Sequence, residues 1–309
     1  MNRIKIAILG LGTIAKVQQE ALAGLPEFDY VAACDADENK RDACRAPAFY
    51  ADVNEFLSNC AAEAVLLSTP PATHFPLALQ CLRAGKSVLT EKPAALSLEE
   101  IAALYREAEA TGALFRTAYH AAHGEDIEKV LQNAETLLPK GKPRAIRCTF
   151  CDPYLQDGKL EKSRAPLDGS WSDSGINALS VCARFADLAA LSLCEKAERR
   201  DPETGIIVHA THTFCGGGLS VRIETAWDDG RNYKATELVF EGGESVFFEH
   251  TAQRVTKNAA EKSGLLFEGC PQERMLRQYR TVLRSFAGAL QEGESDEKKT
   301  MLLHRLLFE

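Results

Sequence analysis

No stretch of the 309 residues stays apolar for the length of a membrane-spanning helix, and no block of lysine and arginine stands out. The first absence leaves nothing to cross a bilayer as a helix. The second, with 36 Lys+Arg against 44 Asp+Glu and a formal net charge of −8, disfavours nucleic acid and anionic membrane as main partners. A small-molecule partner is expected instead. Internal repeats and low-complexity segments are missing too, while apolar residues make up 45% of the chain, which argues for packed cores rather than disorder. A secretory signal is also lacking. Arg3 and Lys5 precede an apolar run from Ile6 to Leu11, but glycines interrupt it, and Lys16, Gln18, Gln19 and Glu20 occupy the region a signal would keep apolar. The expected location is the cytoplasm.

Ten cysteines are present, at 34, 44, 60, 81, 148, 151, 182, 194, 215 and 270. They are scattered along a long chain, whereas a disulfide scaffold is short and cysteine-dense, so they read as reduced, partly buried small apolar residues. The one tight pair, Cys148 and Cys151, falls in an expected strand where side chains three apart point to opposite faces. No second pair completes a ligand set, and no metal is expected.

A length near 300 residues suits two domains. Residues 1–120 alternate short β-type runs (Lys5–Leu9, Tyr30–Cys34, Ala64–Ser68, Ser87–Leu89, Leu114–Ala118) with helical stretches (Ile14–Ala23, Glu38–Cys44, Val53–Cys60, Phe75–Ala84, Leu98–Ala110). Asp52 and Ser97 stand at N-cap positions, and Gly85 and Gly112 where helices should stop. This grammar implies an α/β, doubly wound parallel sheet, a Rossmann domain. Residues 121–309 read as an α+β domain with a mainly antiparallel open sheet, and its C-terminal helices are able to pack back on the first domain. A helix over Glu125–Leu137 leads to a strand at Ala145–Phe150, a polar stretch over 153–172 and a helix over Ile176–Ala190. Strands at Gly205–Phe214, Leu219–Trp227, Ala235–Phe240 and Ser245–Phe248 follow, then helices Glu273–Leu290 and Glu297–Phe308.

The first strand runs into Gly10-Leu11-Gly12-Thr13-Ile14-Ala15, a G-x-G-x-x-A. Gly10 permits the tight turn, Gly12 lets backbone approach a pyrophosphate, and the helix opening at Thr13–Ile14 offers free N–H groups. The second strand ends at Asp35, well placed to accept hydrogen bonds from the adenosine ribose and to repel a 2′-phosphate. NAD is therefore expected, with Arg41 nearby leaving room for NADP. The plainer reading of Asp35 is a loop or cap residue.

Two more loops lie at carboxyl ends of strands, where open α/β sheets bind ligands: Ser68-Thr69-Pro70-Pro71-Ala72-Thr73-His74 and Glu91-Lys92-Pro93. A lysine there can donate to a substrate hydroxyl and favour its ionised form, although from this tripeptide alone a surface lysine in a turn is the better reading. His120 follows the last strand, and His120-x-x-His123 lacks partners at metal-ligand spacing, so a polar cleft histidine is expected. Asp173 and Asn177 are four apart and share a helix face. An N-cap role explains Asp173 but not the second polar group one turn along.

Taken in order, the Gly10–Ala15 turn, Thr69-Pro70-Pro71-x-x-His74, Glu91-Lys92-Pro93 and the Asp173–Asn177 segment resemble the Gfo/Idh/MocA family of oxidoreductases. The string from Asp173 to Ser180 and Tyr119-His120 resemble its branch of L-arabinose/D-galactose 1-dehydrogenases. Most members carry a histidine base where this chain has Asn177. The resemblance implies cofactor contacts at Gly10, Gly12, Thr13, Ile14, Asp35, Ser68, Pro70, His74, Glu91 and Lys92. It also implies a homodimer or homotetramer and a sugar substrate oxidised at C1 to the lactone. Because Asn177 has no titratable proton near neutrality, Asp173 is assigned as base or relay, with Lys92 stabilising the developing alkoxide. His120, Asp152 and Asn177 would hold the sugar hydroxyls, and Trp227 would stack on its C–H face unless it is a core residue. A ring-hydroxyl dehydrogenase of the inositol type and a non-catalytic NAD-dependent sugar sensor are the alternatives.

Overall fold

The computed structural model describes residues 3–156, 159–160, 167–259 and 262–309. Two compact units emerge: Met1–His120 with Met275–Met301, and Ala121–Arg274 with Leu302–Glu309. Residues 275–301, from the C-terminal helices, group with the first unit.

The first unit holds strands β1 (Ile4–Leu9), β2 (Phe28–Cys34), β3 (Ala48–Tyr50), β4 (Ala64–Leu67), β5 (Ser87–Glu91) and β6 (Phe115–Ala118). They form an all-parallel sheet in the order β3-β2-β1-β4-β5-β6, the doubly wound dinucleotide-binding order with its reversal between β1 and β4. Helices α1 (Ala15–Ala23), α2 (Val53–Asn59), α3 (His74–Arg83) and α4 (Leu98–Thr111) connect them. Strand alternation splits β1 between two cores: Ala7 and Leu9 pack with Leu82, Ile101 and Leu104, while Ile6 and Ile8 pack with Leu22, Tyr279, Leu283 and Phe286. Asp52 caps α2 through Asn54 N–H and Glu55 N–H, Ser97 caps α4 through Glu100 N–H, and Gly112 closes α4 in the left-handed region.

The second unit contains helices α5 (Glu125–Gln132), α6 (Ala134–Leu137) and α7 (Ile176–Cys182), and strands β7 (Pro143–Cys151), β8 (Leu155–Gln156) and β9 (Lys159–Leu160). Strands β10 (Ser192–Arg200), β11 (Ile207–Gly216), β12 (Leu219–Ala226), β13 (Tyr233–Phe240), β14 (Ser245–Glu249), β15 (Arg254–Ala259) and β16 (Lys262–Glu268) follow. The large sheet runs β10-β11-β12-β7-β13-β14-β15-β16, antiparallel except for the β7–β12 pair. Helices α8 (Arg274–Glu292) and α9 (Glu297–Phe308) end the chain.

Several expectations change in detail. Residues Glu38–Ala43 form a 3₁₀ helix, opened by Asp37 accepting from Asn39 N–H. The helix expected over Glu125–Leu137 breaks at Asn133, whose side-chain amide donates to the Lys129 carbonyl. The one expected over Ile176–Ala190 stops at Cys182, because Arg184 and Phe185 N–H turn back to the i−3 carbonyls of Val181 and Cys182. Strands β3, β10, β15 and β16 carried no clear alternation; β10 is a charged, mostly exposed sheet edge. Cys148 meets Thr236 Oγ1 at 3.2 Å and Cys182 Sγ at 3.4 Å, and all ten cysteines are free thiols.

At the β11–β12 hairpin, a Cβ added to Gly216 would sit 2.0 Å from the Ala190 carbonyl oxygen. Gly216→Ala is therefore expected to cost about 1–3 kcal/mol, since backbone on both sides must move. Urea unfolding beside Gly264→Ala, where a Cβ meets nothing within 4 Å, checks this.

Candidate functional site

In the first unit the glycine turn is built against the loop after β4. Gly10 has φ +99°, and a Cβ there would lie 2.7 Å from the Ser68 carbonyl oxygen and 2.8 Å from Thr69 Cγ2. Only glycine lets these two loops approach, while at Gly12 a Cβ would make ordinary contact at 3.7 Å. Thr13 and Ile14 lead into α1 without a side-chain cap, leaving backbone N–H groups at the helix start.

Asp35 leaves β2 beside this turn. Its Oδ2 accepts from Leu11 N–H at 2.7 Å and from Lys40 Nζ at 2.9 Å, and its Oδ1 accepts from Asp37 N–H at 2.9 Å. Burial pushes the carboxyl up, but the donors from Asp37, Lys40 and Leu11 outweigh it and hold it below the ordinary value of 3.8. The basic neighbour on the carboxylate is thus Lys40; Arg41 instead lies over the Phe49 ring, 4.6 Å from its centroid.

A buried network ties the remaining loops together. Ser68 Oγ donates to Gln18 Oε1 at 2.8 Å, Gln18 Nε2 donates to Glu91 Oε1 at 2.9 Å, and Tyr279 OH donates to the same oxygen at 2.6 Å. Burial pushes the Glu91 carboxyl above its ordinary range, against the pull of Tyr279, Lys92 and Gln18. Lys92 follows directly and continues through a cis peptide into Pro93. His74, 1% exposed, faces the Pro93 carbonyl from Nδ1 at 2.7 Å and the Thr69 carbonyl from Nε2 at 2.8 Å. It bridges the two loops from within, and burial lowers its pKa. Pro70 opens the short 3₁₀ turn that carries the chain from Thr69 to His74. His120 Nδ1 lies 3.2 Å from Gln278 Oε1, and its ring stacks on Tyr279 with centroids 5.3 Å apart.

In the second unit Asp152 is the hub. Its Oδ1 takes a 2.6 Å ion pair from Lys234 and its Oδ2 a 3.3 Å bond from Ser174 Oγ. Ser174 belongs to the turn that carries Asp173, a single π-helical turn over Trp171–Gly175 running into α7. Lys234 also donates to the Cys151 carbonyl at 3.0 Å. Burial pushes its ammonium down, opposed by Asp152, while Arg274 adds to the depression and Asp173 opposes it. Asn177 Nδ2 donates to the Asp173 carbonyl at 3.2 Å, but its Oδ1 is buried and accepts no hydrogen bond. Trp227 is fully buried and meets Tyr154 edge-on at 5.3 Å. That is a core position, which favours packing over a stacking face for sugar. Part of the 153–172 stretch expected to read hydroxyls lies outside the described residues. Among the described residues no cluster of His, Cys, Asp and Glu could hold a metal, and no helix is long and apolar enough to cross a membrane.

Sequence reasoning missed Gln18, Lys234, Gln278 and Tyr279. Gln18 was legible as a polar residue on the inner face of α1; the others act across long sequence separations.

Residues 4–119 match the model of the oxidoreductase family with an NAD-binding Rossmann fold, GFO_IDH_MocA. Over these residues the chain is similar to the NAD-binding domain of that family. A myo-inositol 2-dehydrogenase of Thermotoga maritima is 25% identical over 209 residues, 66% of this chain. The chain spans 59%, 29% and 34% of the first three curated relatives it matches. Two solved structures share the fold over nearly the whole chain. A 3-ketoreductase from Actinomadura kijaniata with NADP and TDP-benzene has 18% identity and TM-score 0.83, covering 99% of this chain and 96% of its own. A D-galactose-1-dehydrogenase from Rhizobium etli has 20% identity and TM-score 0.79, covering 100% and 94%.

An NAD-type cofactor fits the first unit: Gly10 keeps the turn open at a place a side chain would fill, and the Asp35 carboxylate is fixed beside it. Asp35→Ala is expected to weaken NADH binding by on the order of tenfold, read by NADH fluorescence titration. Because the folded pKa is depressed, the Asp35 contribution is present in full above 3.8 and is lost only as pH falls through the still lower folded value. NADH affinity should show no Asp35-dependent change between about pH 8 and about pH 5.

Proposed function

We propose that the protein is an NAD(P)-dependent dehydrogenase that oxidises a pyranose aldose at C1 to the lactone. The observation that carries this reading is the Asp152–Lys234–Ser174 cluster on the turn bearing Asp173, with Asn177 Oδ1 buried next along and accepting nothing. A buried acceptor without a donor costs stability unless a ligand hydroxyl supplies one. Carboxylates and an amide oxygen placed together suit a ligand rich in hydroxyl groups.

Oxidation removes a hydride from C1 and a proton from the C1 hydroxyl. The bound nicotinamide supplies the hydride acceptor. Lys92 donates a hydrogen bond to the C1 oxygen and favours its ionised form; Asp173 takes the proton. Asn177 cannot be that base, since its amide does not titrate near neutrality. Asp152, fixed by Lys234 and Ser174, and His120 hold other hydroxyls of the ring.

The curated inositol 2-dehydrogenases among the relatives favour a second reading, oxidation of a ring hydroxyl away from C1. The product separates them: a lactone traps with hydroxylamine as a hydroxamate, a keto-sugar does not. Purified protein screened with aldoses and myo-inositol against NAD and NADP should form NADH or NADPH with an aldose and yield lactone. Lys92→Met should lower kcat by roughly a hundredfold or more while NADH still binds. No turnover with any aldose would overturn the proposal.

A further inference from the structure

Strand β10 is an edge of the large sheet and pairs on one side, with β11. Its ladder begins with Ser192 opposite Cys215 and Leu193 opposite Phe214, and the next pair is Glu195 with Thr213. Cys194 is therefore the extra residue of a bulge, and a bulge re-aims the side chain it carries. Here Cys194 Sγ turns back to within 3.7 Å of the carbonyl oxygen of Ser192, the residue directly opposite Cys215. The two thiols meet at the sheet edge, and the hydrogen bond between them pushes the Cys194 thiol above its ordinary range. A second close pair supplies the contrast. Cys148 Sγ and Cys182 Sγ are 3.4 Å apart, but both residues are buried, whereas Cys194 is exposed and Cys215 half-buried. Of the ten free thiols Cys194 is the exposed one, so a dissolved reagent reaches the edge pair and not the interior pair.

We propose that Cys194 and Cys215 form a redox-active dithiol, a modification site that closes to a disulfide across the β10–β11 edge by exchange with a small-molecule disulfide such as oxidised glutathione. The Cys194 thiolate attacks one sulfur of the oxidant, whose S–S bond breaks as a mixed disulfide forms and the first small thiolate leaves. The Cys215 thiolate then attacks the Cys194 sulfur, the mixed disulfide breaks, and the second small thiolate leaves. In total the protein thiols lose two electrons and two protons, and one oxidant disulfide becomes two thiols. Because Cys215 is already beside Cys194, the second step needs no diffusional encounter, and the mixed disulfide does not persist. Cys215 from β11 and Glu195 from β10 both disfavour a thiolate on Cys194, so the exchange is slow near neutrality and speeds up as pH rises. The new bond would tie an edge strand, paired on one side, to its neighbour.

Peptide mapping by mass spectrometry tests this on the full-length folded protein, after incubation with oxidised glutathione at about pH 8.5 and alkylation of the remaining thiols. The expected product is a Cys194–Cys215 cross-link that dithiothreitol removes, with Cys148 and Cys182 recovered as alkylated thiols. Cys215→Ser should stop the reaction at a stable glutathione mixed disulfide on Cys194, and Cys194→Ser should give no cross-link. A mixed disulfide that persists on Cys194 of the wild-type protein overturns the proposal. So does a Cys148–Cys182 cross-link in place of the edge one, or an edge pair left unmodified. Should either serine variant not fold, the wild-type map decides alone. The result is independent of which substrate the protein oxidises.

Discussion

A carboxylate buried at the end of a parallel strand must be surrounded by donors, or it takes up a proton and the strand end loses its anchor. Glu91 is in that position, 8% exposed, and what surrounds it determines much of the first unit. Gln18 reaches it from α1 and passes the hydrogen bonding on to Ser68 after β4. Tyr279 reaches it from α8, far along the chain. Lys92, the next residue, inherits its position from this fixed neighbour. The cofactor loops, the lysine and the late helix are thus parts of one arrangement.

A second buried acid repeats the principle. Asp296, between α8 and α9, accepts from Tyr105 OH at 2.6 Å and from Thr117 N–H at 3.2 Å. Burial raises its pKa, with Tyr105, Arg116 and Thr117 opposing. Two carboxylate sites, one supplied by each side, account for residues 275–301 grouping with a sheet that ends near residue 118. Apolar packing of Leu283 and Phe286 against Ile6 and Ile8 supplies area, and the paired acids supply register.

The doubly wound sheet was legible because fully buried parallel strands such as Ala64–Leu67 are continuous apolar runs, and because caps such as Asp52 and Ser97 act within a few residues. The glycine turn, Asp35, Lys92 and the Asp173–Asn177 segment were legible for the same reason: their signals are local. What was not legible is non-local or exposed. Strand β10, with Glu195, Lys196, Glu198, Arg199 and Arg200, has the composition of a solvated helix, and its place at a sheet edge shows only in its pairing with β11. Lys234 reads as an ordinary strand residue until β13 is laid beside β7 and brings it to Asp152. Trp227 was open between stacking and packing, and burial favours packing.

The Lys234–Asp152 pair adds little to stability, since the cost of desolvating both charges offsets their attraction. Its consequence is orientation. With Oδ1 committed to the ammonium and Oδ2 to Ser174, the Asp152 carboxylate keeps one plane, and its remaining lone pairs point in fixed directions. Asn177 adds a neutral acceptor beside the Asp173 carbonyl, so the turn presents hydrogen-bond acceptors without gathering more negative charge beside Asp152 and Asp173. Replacing a histidine with asparagine there removes a proton acceptor while preserving a hydrogen-bonding one.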